Sequence, residues 1–219
     1  GQKVELENLA NTDGLTGLFN ERYFSHVLAD QEKRKLPFAL YYLDLDFFKP
    51  INDTYGHDMG DKLLKAVAKR LQTCIRSHDF AFRIGGDEFA VVYRADLTEA
   101  QRREKQALIV DTLTRPYEID GKRLQIGASC GYAHYPEDSA AAADIRILAD
   151  QRMYAEKEIN HQKSGGGGKE RRRSWMGAPL GGLHSFHRLR NSFHRLRNSF
   201  HRLRAVPLPR RGRSEGMEK

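Results

Sequence analysis

The stretch Ala81-Phe82-Arg83-Ile84-Gly85-Gly86-Asp87-Glu88-Phe89-Ala90-Val91-Val92 constrains the fold most. Apolar residues run up to Ile84 and resume at Phe89, and Gly85-Gly86 between them supplies the positive φ of a tight β-hairpin. Asp87 and Glu88 follow the turn directly. Ionised acids belong in water or on a partner, so this pair packs poorly but is well placed to hold a divalent cation. Gly85 and Gly86 lack Cβ, so a bulky ligand can approach the backbone there. Taken alone, the hairpin reads better as a solvated turn with two acids for solubility, because short motifs match by chance.

A second acidic strand end shifts that balance. Phe38 to Leu43 is a nearly continuous apolar run, the pattern of a buried central strand. It ends in Asp44-Leu45-Asp46, and strand alternation puts the two aspartates on one side. Acids from two strand ends build an oxygen-rich site suited to Mg²⁺, a hard cation that takes carboxylates and substrate phosphates. Lys49 and Asn52 follow closely. Lysine is a point charge for phosphate, and asparagine offers a base edge both donor and acceptor.

The net charge of +8 over 219 residues is misleading as an average. Residues 1–163 carry 23 Lys/Arg against 26 Asp/Glu, whereas residues 164–219 carry 14 against 3. The basic excess therefore belongs to the tail and gives no ground for nucleic-acid binding by the domain. Cys74 and Cys130 show no metal spacing and read as reduced thiols, a bridge between them being the alternative for a pair. No apolar run approaches membrane-spanning length and no signal peptide opens the chain, which points to the cytoplasm.

In chain order, Val4–Asn11 reads as a helix end and Asp13–Asn20 as a polar turn capped by Thr12 or Asp13. Glu21–Lys35 has helical spacing, with Phe24 and Leu28 as core. Phe47–Tyr55 is expected as a short helix with Pro50 in its first turn, broken by Gly56. Asp58 and Asp61 resemble capping acids before an amphipathic helix marked by Leu63, Leu64, Val67, Ala68, Leu71 and Ile75. Arg83 reads as strand surface. Thr98–Arg115 is a helix, with Ala100, Ala107, Leu108, Val110 and Leu113 as its apolar positions, ended by Pro116. Tyr117–Ile119 and Leu124–Tyr135 read as a hairpin about Asp120-Gly121, its small residues Gly127, Ala128, Ser129 and Gly131 letting another layer pack closely and Cys130 lying in the core. Asp144–His161 is the last domain helix. Gly165–Gly168 reads as a flexible linker. Beyond it, Ser185–Arg190 recurs at Ser192–Arg197 and Ser199–Arg204. That repeat is either a basic amphipathic element, whose partner is unknown, or a low-complexity extension; exact repetition favours the second.

Five ordered blocks resemble the GGDEF domain of diguanylate cyclases: Asp13-Gly14-Leu15-Thr16-Gly17-Leu18-Phe19-Asn20, Asp44 to Lys49, Asn52 to Asp61, the signature Gly85-Gly86-Asp87-Glu88-Phe89, and the closing helix Ala149 to Lys157. The resemblance covers roughly Leu6 to Gln162. It implies an α+β, ferredoxin-like palm with a mostly antiparallel central sheet flanked by helices. It divides the chain into the end of an upstream signalling helix (1–12), the GGDEF domain (13–163) and the linker with its basic tail (164–219). It further implies condensation of two GTP into cyclic di-GMP by a homodimer, with an upstream sensor domain absent and the parent protein open to membrane anchoring there.

By resemblance, Asp44, Asp87, Glu88 and the Leu45 carbonyl hold Mg²⁺ or Mn²⁺, and Asp87 or Glu88 is the catalytic carboxylate. Lys49 and Lys157 steady phosphates, Gly85 and Gly86 admit the nucleotide, and Asn52 and Asp61 read guanine. Arg76 and Asp79 match the family's RxxD site, where cyclic di-GMP binds and arrests the enzyme; the alternative is a helix-end arginine paired with a nearby aspartate. Asp61 is equally suited to be a first-turn helix acid. The family's closing Gly-Arg-Asn is Asn160-His161-Gln162 here, so His161 stands at an arginine position. A second reading keeps the domain as a cyclic di-GMP-binding regulatory module of weak catalysis.

Overall fold

A computed structural model of the chain describes residues 10–166, with side chains as far as residue 162. The start of the expected Val4–Asn11 helix and the whole basic repeat lie outside the described residues. In chain order the elements are α1 (Glu21–Lys33), β1 (Phe38–Asp46), α2 (Phe48–Tyr55), α3 (His57–Thr73), β2 (Phe80–Gly85), β3 (Glu88–Tyr93), α4 (Glu99–Thr114), β4 (Tyr117–Ile119), β5 (Lys122–Leu124), β6 (Gly127–Tyr135) and α5 (Ala142–Gly166).

The continuous apolar run becomes the central strand, since a strand covered on both faces needs no polar alternation. Every residue of β1 is buried. The four-stranded sheet has the order β2-β3-β1-β6 with all neighbours antiparallel. Counting only sheet strands, that is the 4-1-3-2 order of a ferredoxin-like βαββαβ fold, as the resemblance implied.

Alternation along β1 splits the core in two. Tyr41, Leu43 and Leu45 face Leu63, Val67, Leu71, Ile109 and Leu113 of α3 and α4. Leu40 and Tyr42 face Phe24 and Leu28 of α1 and Ile145, Ala149 and Met153 of α5. The same alternation sends Asp44 and Asp46 to the α5 side.

How closely α5 seats on the sheet depends on Gly131. A Cβ there would stand 2.1 Å from the Met153 backbone N and 2.3 Å from the Ala149 carbonyl oxygen. Backbone cannot swing aside, so Gly131→Ala should destabilise the fold by about 1–3 kcal/mol. Thermal unfolding followed by circular dichroism checks this; an unchanged midpoint would mean that α5 does not seat on β6 in this way.

Several expectations are corrected. The first helix is shorter than expected: α1 stops at Lys33 rather than Lys35. The helix α3 starts at His57 directly after Gly56, with no side-chain cap. Asp58 is therefore its first-turn acid and Asp61 lies beyond that turn. On α4, Ala100, Ala107 and Leu108 are exposed, and Ile109 with Leu113 and the buried Arg102 turn inward instead. Thr98 and Gln101 close its start as a capping box. The hairpin about Asp120-Gly121 is short: β4 and β5 form their own two-stranded sheet, and β6 separates from them to join the main one. The helix α5 runs on to Gly166, through the first two glycines of the expected linker. No described helix is long and apolar enough to cross a membrane.

Candidate active site

The hairpin turn is made one residue later than the glycine pair suggests. Gly85 pairs with Glu88, so Gly86 and Asp87 are the turn, and a register shift between Arg83 and Gly85 absorbs the offset. Gly86 has φ +53°, a conformation glycine adopts without strain. A Cβ at Gly85 or Gly86 would meet nothing within 4 Å, so the approach over the turn is open.

Arg83 is not strand surface; it holds this turn. Its Nε and Nη2 donate to the Gly86 carbonyl at 3.1 and 2.9 Å, and its Nη1 donates to both Asp13 carboxylate oxygens at 3.2 Å. Asp13 also accepts from the Thr16 amide and hydroxyl at 2.8 and 2.7 Å. Desolvation opposes the Asp13 charge, but these bonds and Arg83 hold its carboxyl below the usual value. The Asp13-to-Thr16 turn is thereby tied to the signature turn 70 residues away.

The two acidic strand tips are adjacent. Asp44 stands opposite Glu88 in the β1–β3 ladder, and the Leu45 amide donates to the Asp87 carbonyl at 3.1 Å. Asp44 and Asp46 are 8% and 3% exposed. Burial raises the Asp87 carboxyl above its ordinary value, and the charge of Asp44 adds to the shift. Burial likewise raises Asp46, partly offset by the Ser129 hydroxyl donating to its Oδ2 at 2.8 Å. From α5, Lys157 Nζ reaches Asp44 Oδ1 at 2.7 Å. Burial pulls that ammonium down, yet Asp44, Asp87 and Asp46 outweigh it and leave it above its usual value.

Among the described residues no three His, Cys, Asp or Glu side chains gather as a ready metal cage. Mg²⁺ does not require one, since it is commonly held by one or two carboxylates with phosphates and water completing the shell. The donors present fit it: carboxylates and a carbonyl, all hard oxygen. Burial first, and repulsion from Asp44 second, raise Asp87, and the carboxylates draw in the Lys157 ammonium.

Asn52 of α2 and Gly60 of α3 come together at the corner between the two helices. Gly56, at φ +85°, turns the chain there. The Asn52 carboxamide lies against Gly60, where a Cβ would be 1.8 Å from Asn52 Oδ1. That oxygen is buried and has no hydrogen-bond partner among the described residues. Asp61 follows Gly60 and is exposed, as is Lys49 in the first turn of α2. No side chain caps α2.

Arg76 and Asp79 sit apart, in the loop between α3 and β2. The pair is not a salt bridge. Asp79 is buried, and its carboxylate accepts the Arg76 and Arg94 backbone amides, each at 3.1 Å, while the Arg76 side chain is exposed. Asp79 thus shapes the loop that presents Arg76.

Sequence reading missed the roles of Arg83, Ser129 and Asn160. Asp13 and Thr16, three apart, carry the signature of a side-chain-closed turn, but nothing local connects them to Arg83.

A family profile described as diguanylate cyclase, GGDEF domain, matches residues 10–163. The chain is 38% identical over 160 residues to the uncharacterized protein YhcK of Bacillus subtilis, covering 70% of this chain and 45% of the relative. It is 32% identical over 161 residues to diguanylate cyclase A of Treponema denticola, covering 70% and 43%. It spans less than half the length of either. A crystal structure of a sensory box/GGDEF family protein from Caulobacter crescentus superposes with a TM-score of 0.61 at 36% identity, covering 68% of this chain and 99% of that one. With the acidic tips, the clamped turn and the palm sheet in place, the chain belongs to the GGDEF domain family.

Proposed function

We propose that this domain is a diguanylate cyclase, condensing two GTP into cyclic 3′,5′-diguanylate and releasing two pyrophosphates. The observation that carries the reading is the meeting of Asp44 on β1, Asp87 in the hairpin turn and Lys157 on α5 at the strand tips, at one end of the sheet. Asp44, Asp87, Glu88 and the Leu45 carbonyl would hold Mg²⁺ or Mn²⁺. The metal, when bound, offsets phosphate charge and makes the 3′-hydroxyl a better nucleophile. Lys157 and Lys49 pair with phosphate oxygens, and the uncapped start of α2 offers them backbone N–H groups. Asn52 and Asp61 pair with guanine, Asp61 as acceptor for its N–H donors. Asp87 or Glu88 takes the 3′-hydroxyl proton. Each domain holds one GTP, so the two α-phosphates are attacked across a pair of domains.

Incubating the chain with GTP and Mg²⁺ at several protein concentrations, followed by nucleotide chromatography, tests this. Cyclic di-GMP should form at a rate per chain that rises with concentration. Absence of product throughout would sink the cyclase reading. Arg76 is proposed to bind product: its exposed guanidinium suits phosphate and guanine edges. Arg76→Ala should keep turnover while weakening product inhibition at least about tenfold; equally tight inhibition would remove Arg76 from that site.

The second reading, a cyclic di-GMP-binding regulatory module, draws on His161. Its Nε2 lies 3.7 Å from Asp46 Oδ1 and its ring stacks on Phe47, at a position where the family has an arginine. Product binding without turnover would favour it.

A further inference from the structure

The Lys157 ammonium sits on Oδ1 of Asp44, the carboxylate that the proposed function gives to the metal. An ammonium held on that carboxylate repels a divalent cation approaching it, so the two compete for Asp44. When the metal takes Asp44, the ammonium needs another acceptor, and Asp87 is assigned to the metal as well.

Asp46 offers one. It lies two residues along the same face of β1, about 7 Å away by strand rise. Its two oxygens are unequal. Oδ2 accepts the Ser129 hydroxyl at 2.8 Å, and Ser129 Oγ in turn accepts Asn160 Nδ2 at 3.3 Å. Oδ1 is buried and has no hydrogen-bond partner among the described residues; His161 Nε2 lies 3.7 Å from it. A buried carboxylate oxygen left unpaired is costly. Lys157 already feels the Asp46 charge. Ser129 and Asn160 hold the carboxylate to the end of α5, the same helix that carries the lysine.

We infer that Lys157 competes with the metal for Asp44, and that Asp46 is the positioning residue whose free Oδ1 receives the ammonium when the metal binds. Lys157 is then a resident counter-ion that steps aside toward the phosphates. This rests on the metal assignment of the proposed function.

The test is Mn²⁺ binding to the full chain without nucleotide, read from the free-ion electron paramagnetic resonance signal, with thermal melts for each variant. Lys157→Met removes the competitor and should tighten Mn²⁺ binding about tenfold or more. Asp46→Asn should weaken it about tenfold, and this loss should shrink at least about fivefold when Lys157 is already methionine. An equal loss in both backgrounds means that Asp46 acts through charge alone and overturns the inference, as does Mn²⁺ binding unchanged by Lys157→Met. Asp46→Ser replaces Asp46→Asn should the latter not fold. Asp44→Ala separates the two readings: Mn²⁺ binding that survives it overturns the metal site itself, whereas its loss with a null Lys157–Asp46 cycle overturns only the hand-over.

Discussion

Asp87→Ala is expected to cut cyclic di-GMP formation from GTP by about a thousandfold or more, the scale for removing one preorganised electrostatic partner of the reacting phosphate. The fold should not suffer. Burial and the Asp44 charge raise the Asp87 carboxyl above its ordinary value, so its ionised form is disfavoured in the folded protein. A carboxylate of that kind costs stability at neutral pH, and its removal should leave the melting temperature unchanged or higher. Loss of turnover with an intact melt is the expected pair of results. Turnover close to that of the parent would refute the acidic site.

Gly60→Ala is the second large effect, and it isolates recognition from chemistry. The new Cβ would lie 1.8 Å from Asn52 Oδ1 and 2.8 Å from its Cγ, so the carboxamide must leave its place. What gives way is the end of the Asn52 side chain and, by a few tenths of an ångström, the Phe48 ring, whose Cζ the new Cβ would meet at 3.2 Å. Alanine suits the helix better than glycine, which offsets that cost, so the melting temperature should move little. The KM for GTP should rise about 10- to 100-fold while kcat changes far less, since the lost contact is made equally in ground and transition states. A KM within twofold of the parent's would place guanine recognition elsewhere than Asn52.

Local patterning was enough for much of this molecule. Gly56 does end one helix and Pro116 another. The apolar run at Phe38–Leu43 is the buried middle of the sheet, and Phe24, Leu28 and Cys130 are core. These follow from constraints acting within a few residues: a φ only glycine adopts easily, a missing amide, a run of side chains with no polar face. Where neighbours far along the chain decided the outcome, local reading erred. Leu108 looked apolar enough for the core, but the face of α4 that meets the sheet carries Ile109, Leu113 and even Arg102, whose charge Glu137 answers at 2.6 Å.

The sequence by itself determined which residue types stand at the strand tips and in what order, because composition and spacing are local. Only the tertiary structure decided who meets whom: Arg83 with Asp13 and Gly86, Lys157 with Asp44, Asn160 with Ser129. Those partners are brought together by strand register and by the seating of α5 on Gly131, and the energy of a charge or a hydrogen bond depends on distances that no spacing along the chain encodes.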